Sequence, residues 1–564
     1  MIGCLLMVST LLLGMPLCAY AENDITPTRQ DSLRGSNGAH RSWWNVTHYD
    51  LRVVLDTTRK SVSGKNDITA TIIAPPTDSL QIDLQELLFL DSVVINDASL
   101  PFNKEGNVWW VKYPFSRLKN EASFRISLYY HGKPRKAKNA PWDGGFIWSN
   151  DSLGNHWTAV ACQGLGASSW WPCKDYQGDE PDSGMNIQFY IPYDASLKAD
   201  HFFPLVTNGT NQPVESADAV DGWQFPPYYP LMGSVSATVK NPINTYNVTF
   251  YYGNYTQWQD TLMGEKGVLP LTYCPLYYHE PIARERFRVV KDMLRCFEHW
   301  MGPYPFYEDG YKLVEAPYLG MEHQSAIAYG NQYRMGYRGN DRSNTGVGLL
   351  FDFIIIHESG HEWFGNNITA SDIADNWIHE GFTTYTETLF AEWIAGKEKA
   401  YEYCRGEWKN IRNNRPVIGR YGVQDEGSSD KYDKGAAVVH MIRMIVNNDE
   451  TFRQLLRSMN RQFYHSSVTS AMVEQYISTF TGYDFTALFQ QYLRTTQIPI
   501  LEYYIKNKKL HYRFTNIVDG FTLPIEARIG KHHKTIHPTS EWQSVAWKKG
   551  YGIDFSKDFL IQIK

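Results

Sequence analysis

The sequence predicts a multidomain α+β protein, and three observations carry that reading. The first is length: 564 residues, at about 150 residues per domain, suggest three or four domains. The second is a change of period along the chain. Between about 42 and 278, short runs of alternating apolar and polar residues are punctuated by Gly, Asn, Asp and Pro, as in Leu51–Leu55, Ser123–Leu128 and Tyr246–Tyr251. Between about 280 and 497 the apolar period becomes helical, and after Pro499 alternation returns, as in Leu510–Phe514 and Phe559–Ile563. The third is composition. With 43% hydrophobic, 15% aromatic and 20% charged residues, the chain has the means to bury several cores.

In chain order, residues 1–21 form an uncharged apolar segment ending in Ala19-Tyr20-Ala21, the pattern of a cleaved export signal. The chain is therefore expected to be exported, periplasmic or secreted. A lipoprotein anchor at Cys18 is disfavoured, because Leu17 is bulky where such processing needs a small residue. Residues 22–41 are polar and read as a lead-in. Residues 22–278 form the β-rich N-terminal domain, 279–497 the mostly helical domain, and 498–564 a small β-sandwich. Helices are expected over Pro281–Trp300, Val347–Phe364, Phe382–Ile394, Gly435–Asn448 and Val468–Phe480.

Several functions are excluded at this level. A net charge of −6 offers no basic footprint for nucleic acid. No later run of about 18 apolar residues predicts a membrane span. Beyond the leader five cysteines remain, Cys162, Cys173, Cys274, Cys296 and Cys404. That number is odd and sparse, so no disulfide framework is expected. Cys162 and Cys173 are near enough in sequence to pair, but buried thiols are the favoured reading. Six N-x-S/T sequons begin at Asn45, Asn150, Asn208, Asn247, Asn254 and Asn367.

The chemistry is concentrated in Ile356-His357-Glu358-Ser359-Gly360-His361. On a helix, residues i and i+4 lie about 40° apart, so His357 and His361 point the same way one turn apart. Two imidazoles so placed occupy two corners of a tetrahedral Zn²⁺, and Glu358 is left free to act as a base. A third donor is offered by Asn376-Trp377-Ile378-His379-Glu380-Gly381-Phe382. Glu380 is favoured over its neighbour His379, which would point about 100° away. Glu387, at i+7 from Glu380, either orients a zinc ligand or makes a surface salt bridge. One zinc ion with an open fourth position is the expected cofactor.

This arrangement, His357-Glu358-x-x-His361, then eighteen residues, then Glu380 in a W-x-x-E-G-F setting, resembles the M1 family of zinc aminopeptidases. Tyr318-Leu319-Gly320-Met321-Glu322-His323-Gln324 is similar to that family's G-x-M-E-N segment, with Leu319 for its first Gly and His323 for its Asn. His379 stands where the family usually has Asn. Lys431-Tyr432-Asp433-Lys434-Gly435 is similar to its Y-x-K-G segment, and Ala161-Cys162-Gln163-Gly164 to a segment that lends a glutamine. The resemblance implies an N-terminal saddle, a thermolysin-like catalytic domain, and hydrolysis of N-terminal residues from peptides with a free N-terminus. It implies that Glu322, with Gln163, holds the substrate's ammonium, that the strand at Gly320 and Met321 pairs with the substrate backbone, and that Tyr432 supports the oxyanion. A monomer or weak oligomer is expected. Two other readings are a related zinc hydrolase (an endopeptidase, or one acting on a non-peptide substrate) and a non-catalytic peptide-binding protein on the same scaffold.

Overall fold

A computed structural model describes residues 26–119, 122–192, 203–214 and 231–564. The expected export leader lies outside them. The N-terminal part is β-rich, as its alternation predicts. Its largest sheet has eight strands, with Trp44–Asp56 and Ser61–Ile72 near the centre and Met185–Pro192 parallel to the first of these. A second sheet of four strands includes Gly145–Asn150, His156–Ala161 and Phe250–Tyr255. The aromatic wealth here is core: Trp43, Trp44, Trp170 and Trp171 are all buried. Each such large side chain contributes about 1.5–3 kcal/mol when removed from water.

Several boundaries differ from the expectation. Residues 245–247 form a single 3₁₀ turn, because Asn244 caps the Tyr246 amide, and the strand begins only at Phe250. The polar lead-in is structured over its described part. Thr28 and Asp31 form a reciprocal capping box at the start of helix Arg29–Gly35. Arg34 then pairs with Asp175 at 3.2 Å, and fully buried Arg41 pairs with Asp83. The hairpin Trp258–Gly264 and Gly267–Cys274, placed by its alternation in the N-terminal domain, hydrogen-bonds instead into the sheet of the catalytic region.

That five-stranded sheet positions everything that follows. It continues through Tyr311–Glu315, Ile327–Tyr329 and the short Gly320–Met321. Its side chains alternate by period 2 between two cores. Leu271, Tyr273, Leu313, Ile327 and Tyr329 face the helices. Cys274, Val314, Met321 and Ala328 face the N-terminal domain. The strand bearing Gly320–Met321 thus runs along the seam between the two halves.

Helices cover the other face. The expected helix Pro281–Trp300 is broken into Glu280–Arg286 and Val289–Met301. The expected Val347–Phe364 shrinks to Phe353–Gly360, entered through a cap in which Asp352 accepts from the Ile354 amide. Trp377–Ala395, Asp433–Val446 and Ser470–Thr481 lie close to their expected ranges. Lys397–Glu407, Asp449–Gln462 and Thr486–Leu493 are helices that the apolar pattern did not single out.

At the C-terminus a four-stranded sheet (with Ile500–Lys506 and Lys509–Thr515) faces a three-stranded one (with Ile525–Ile529). Leu510, Phe514, Ile525 and Phe555 fill the core between them. Among the described residues no helix is long and apolar enough to cross a membrane. All five described cysteines are free and buried, Cys162 and Cys173 included. Of the six sequons, Asn208, Asn247, Asn254 and Asn367 are buried. Asn208, for example, donates to the carbonyls of Asn247 and Gln324, so its amide nitrogen is engaged inside the protein.

Candidate active site

A cleft of about 920 Å³ lies between the N-terminal domain and the helical domain. Gln163 and Gly164 line it from one side, and His357, Glu358, His361, Glu380 and Tyr432 from the other. The helix Phe353–Gly360 supplies His357 and Glu358. His361 follows its last residue but keeps helical geometry (φ −61°, ψ −20°), so the two imidazoles remain one turn apart, with centroids 5.0 Å from each other.

The neighbouring helix Trp377–Ala395 brings Glu380 to the same point. Its Oε2 is 3.3 Å from His361 Nε2 and 3.7 Å from His357 Nε2. The outer ring nitrogens are engaged elsewhere. His357 Nδ1 meets Glu387 Oε1 at 2.7 Å, and His361 Nδ1 meets the Phe364 carbonyl at 3.0 Å and the Thr383 hydroxyl at 3.1 Å. The sequence left Glu387 open between two roles. The geometry places it behind His357, fully buried, with its other oxygen accepting from the Tyr403 hydroxyl at 2.5 Å.

These residues fit a zinc ion. Two imidazole nitrogens and a carboxylate converge within 4.8 Å of one another, the donor set that suits zinc. Glu380 Oε2 is buried without a hydrogen-bond partner, an arrangement that needs a cation to account for it. Burial alone would depress the His357 imidazole. The neighbouring carboxylates of Glu380, Glu387 and Glu358 outweigh that and lift it to about 10. A field that holds a proton so firmly also attracts a divalent cation. His379 is no rival ligand, because its Nε2 accepts from the Ala370 amide at 2.7 Å and burial pushes it down to about 3.

Glu358 lines the same cleft beside this trio. Burial pushes its carboxyl up to about 7, and the charges of Glu322 and Glu380 add to the rise. Glu322 faces it from the seam strand, 3% exposed, and burial raises its carboxyl as well. Gln163 Nε2 donates to Glu322 Oε1 across the domain seam. The Tyr246 hydroxyl donates to the same oxygen at 3.3 Å. Tyr246 had no signal in the sequence, since it is one Tyr among 37. Gly320 is required by proximity: a Cβ there would stand 2.6 Å from Glu358 Oε1 and 2.8 Å from Ile354 Cγ2. Met321 is buried beside it.

Tyr432 precedes helix Asp433–Val446, and a pair of glycines sets its distance from Glu380. A Cβ on Gly381 would meet Gly435 Cα at 2.9 Å, and one on Gly435 would meet Gly381 Cα at 2.8 Å. The two helices therefore touch backbone to backbone, at the residue next to Glu380 and about one turn from Tyr432. Burial first, and then the negative charge of Glu380, hold the Tyr432 hydroxyl protonated. His323, where the resembling segment has Asn, is fully buried. Its Nδ1 meets the Tyr251 hydroxyl at 2.8 Å, and burial keeps the ring neutral at about 3.

Fold and donor set together define a zinc metallopeptidase of the H-E-x-x-H class with a glutamate as third donor. Residues 286–492 match the model of the peptidase family M1 domain. The chain is 21% identical over 467 residues to leukotriene A-4 hydrolase of Xenopus laevis, covering 78% of this chain and 68% of that protein. It is 21% identical to aminopeptidase N of Lactobacillus helveticus, covering 81% of this chain, and spans only 52% of that relative's length. Among solved structures, an M1 zinc metallopeptidase variant from Deinococcus radiodurans, bound to a Tyr-Ser-Ala substrate, matches with a TM-score of 0.64 at 20% identity. That match covers 83% of this chain and 98% of that one.

Proposed function

We propose that the protein is a zinc-dependent aminopeptidase that removes single residues from the free N-terminus of peptides. The observation that carries this reading is the buried Glu322, held by Gln163 and Tyr246 with its carboxylate within 4.8 Å of Glu358 and of His361. His357, His361 and Glu380 would hold one zinc ion, with Glu387 orienting His357. Zinc, when bound there, supplies Lewis acidity toward a peptide carbonyl and makes water a better nucleophile.

The chain's own residues do the rest. Glu322 binds the substrate's α-ammonium through a charge-assisted contact, and Gln163 fixes the carboxylate that receives it. This sets the distance from chain end to scissile bond, so only the first peptide bond reaches Glu358. Gly320 and Met321 offer the edge of the seam strand to the substrate backbone. Glu358 takes the proton of the attacking water and passes it to the leaving amine. Tyr432 donates to the oxygen on which negative charge develops; loss of such a donor costs about 3 kcal/mol of barrier. The leader pattern of residues 1–21 supports an exported enzyme, testable by recovering the activity outside the cytoplasm.

The experiment compares zinc-loaded protein on free and N-acetylated versions of one peptide. Cleavage of the free peptide alone is expected, and equal cleavage of both overturns the aminopeptidase reading in favour of an endopeptidase. Glu358→Gln is expected to retain zinc and lose turnover; substantial residual activity would sink the assigned base.

A further inference from the structure

The proposed reaction leaves open which first residue the cleft accepts, and an ion pair in its wall bears on that. Segment 424–432 joins the two ends of the site. At one end Gln424 Nε2 donates to the Gly164 carbonyl at 2.6 Å, next to Gln163. At the other end stands Tyr432. A residue whose ammonium sits at Glu322 and whose carbonyl reaches Tyr432 has this wall beside its side chain. Leu165, Gln424, Glu426 and Lys431 line the cleft there.

Lys431 is an unusual lining residue. Its side chain is 7% exposed, and its ammonium donates to Glu426 Oε2 at 2.6 Å. Lysines are almost never this buried without a partner. Burial opposes its charge, but Glu426, Glu380 and Glu322 together keep it protonated. Glu426, by contrast, is 53% exposed. The cation is fixed in the wall, whereas the anion reaches it from a half-exposed position and can leave without losing burial.

Resting on the aminopeptidase reading, we infer that Lys431 determines specificity by recognising an acidic side chain, Asp or Glu, on the first residue of the substrate. The Glu426 carboxylate occupies the same place until the substrate's carboxylate displaces it. Displacement exchanges one carboxylate for another on a preformed cation, so the wall need not rearrange. A basic first residue would have to share Glu426 with Lys431 and bring a like charge beside it, an arrangement that is strongly disfavoured where water is excluded. A neutral first residue leaves the existing pair untouched and gains nothing from it.

The test uses the full zinc-loaded chain and four p-nitroanilides, of Glu, Gln, Ala and Lys. Glu and Gln have the same shape, so their kcat/KM ratio isolates the charge. A Glu/Gln ratio of about ten or more is expected, since every tenfold corresponds to about 1.4 kcal/mol, a modest share of a buried charge pair. Lys431→Met is expected to lower that ratio roughly thirty-fold. Glu426→Gln, at a half-exposed position, is expected to raise it, mainly through a lower KM for the Glu substrate. A wild-type Glu/Gln ratio of one or less overturns the inference, as does a ratio unmoved by Lys431→Met. If Lys431→Met does not fold, a ratio unmoved by Glu426→Gln overturns it alone. Cleavage of the Ala substrate with Lys preferred over Glu refutes the inference and leaves the aminopeptidase reading standing. No cleavage of any of the four removes both.

Discussion

Glu387→Gln separates a residue that tunes the metal site from one that merely packs beneath it. In the structure Glu387 Oε1 accepts from His357 Nδ1 at 2.7 Å, and Oε2 accepts from the Tyr403 hydroxyl at 2.5 Å. A glutamine keeps the shape. Its amide oxygen can still accept from Nδ1, and its NH₂ can face Tyr403, whose oxygen becomes the acceptor. Only the charge is lost. Hydrogen bonds to charged groups contribute about 1.5–3 kcal/mol and neutral ones about 0.5–1.5, so the difference is on the order of 1–1.5 kcal/mol. The imidazole loses basicity by that amount, and zinc affinity should fall about ten-fold, the lower end of what residues behind a metal ligand contribute. The assay is zinc dissociation measured against a competing chromogenic chelator, which requires no turnover. Tyr403→Phe leaves the carboxylate charged and should produce a smaller loss. A Glu387→Gln dissociation constant within about two-fold of wild type would refute the argument, because the charge would then contribute nothing through His357.

Two further perturbations test the scaffold. Gly381→Ala places a Cβ 2.9 Å from the Gly435 backbone, where no flexible side chain can yield. Overpacking of this kind costs about 1–3 kcal/mol, so both the unfolding midpoint and kcat should fall, and an unchanged midpoint and kcat would mean the helices are not in backbone contact. Asp352→Asn tests a pH dependence. Burial lifts the Asp352 carboxyl from 3.8 to about 7, against hydrogen bonds from Tyr329, Asn331 and the Ile354 amide. The folded state therefore keeps a proton that the unfolded chain releases, so this contribution is full below about pH 4 and is lost as pH rises toward 7. An asparagine still caps Ile354 but cannot titrate, so its unfolding midpoint should vary less between about pH 4 and 7 than that of wild type. Equal slopes for the two proteins would show that Asp352 does not titrate there.

What was legible in the sequence followed from local rules. The i, i+4 spacing of His357 and His361 is a property of any helix, and it survived although His361 lies just past the helix end. Alternation marked the terminal β regions for the same reason. Two of the misplacements arose where tertiary partners decide. The hairpin at 258–274 alternates like its predecessors, and only pairing with Tyr311–Glu315 assigns it to the catalytic sheet. The polar segment around Arg34 and Arg41 looks solvated in sequence. Its order depends on Asp175 and Asp83, carboxylates 141 and 42 residues away.

The site shows the same division. Its first donors were readable because two of them share one helical spacing and the third opens the next helix, Trp377–Ala395. The groups behind and between them were not, because each reaches the site from a different element: Tyr246 from the N-terminal domain, Thr383 one turn beyond Glu380, and Tyr403 from the following helix. Glycine carries the most information per residue here. Gly381 and Gly435 were visible only as letters in two short segments, yet their mutual contact sets how closely Glu380 and Tyr432 approach. Gly320 does the same for Glu358. Three absent side chains therefore set how closely Glu380, Glu358 and Tyr432 approach one another. Any residue with a Cβ at those positions pushes apart groups that the proposed reaction needs at one peptide bond.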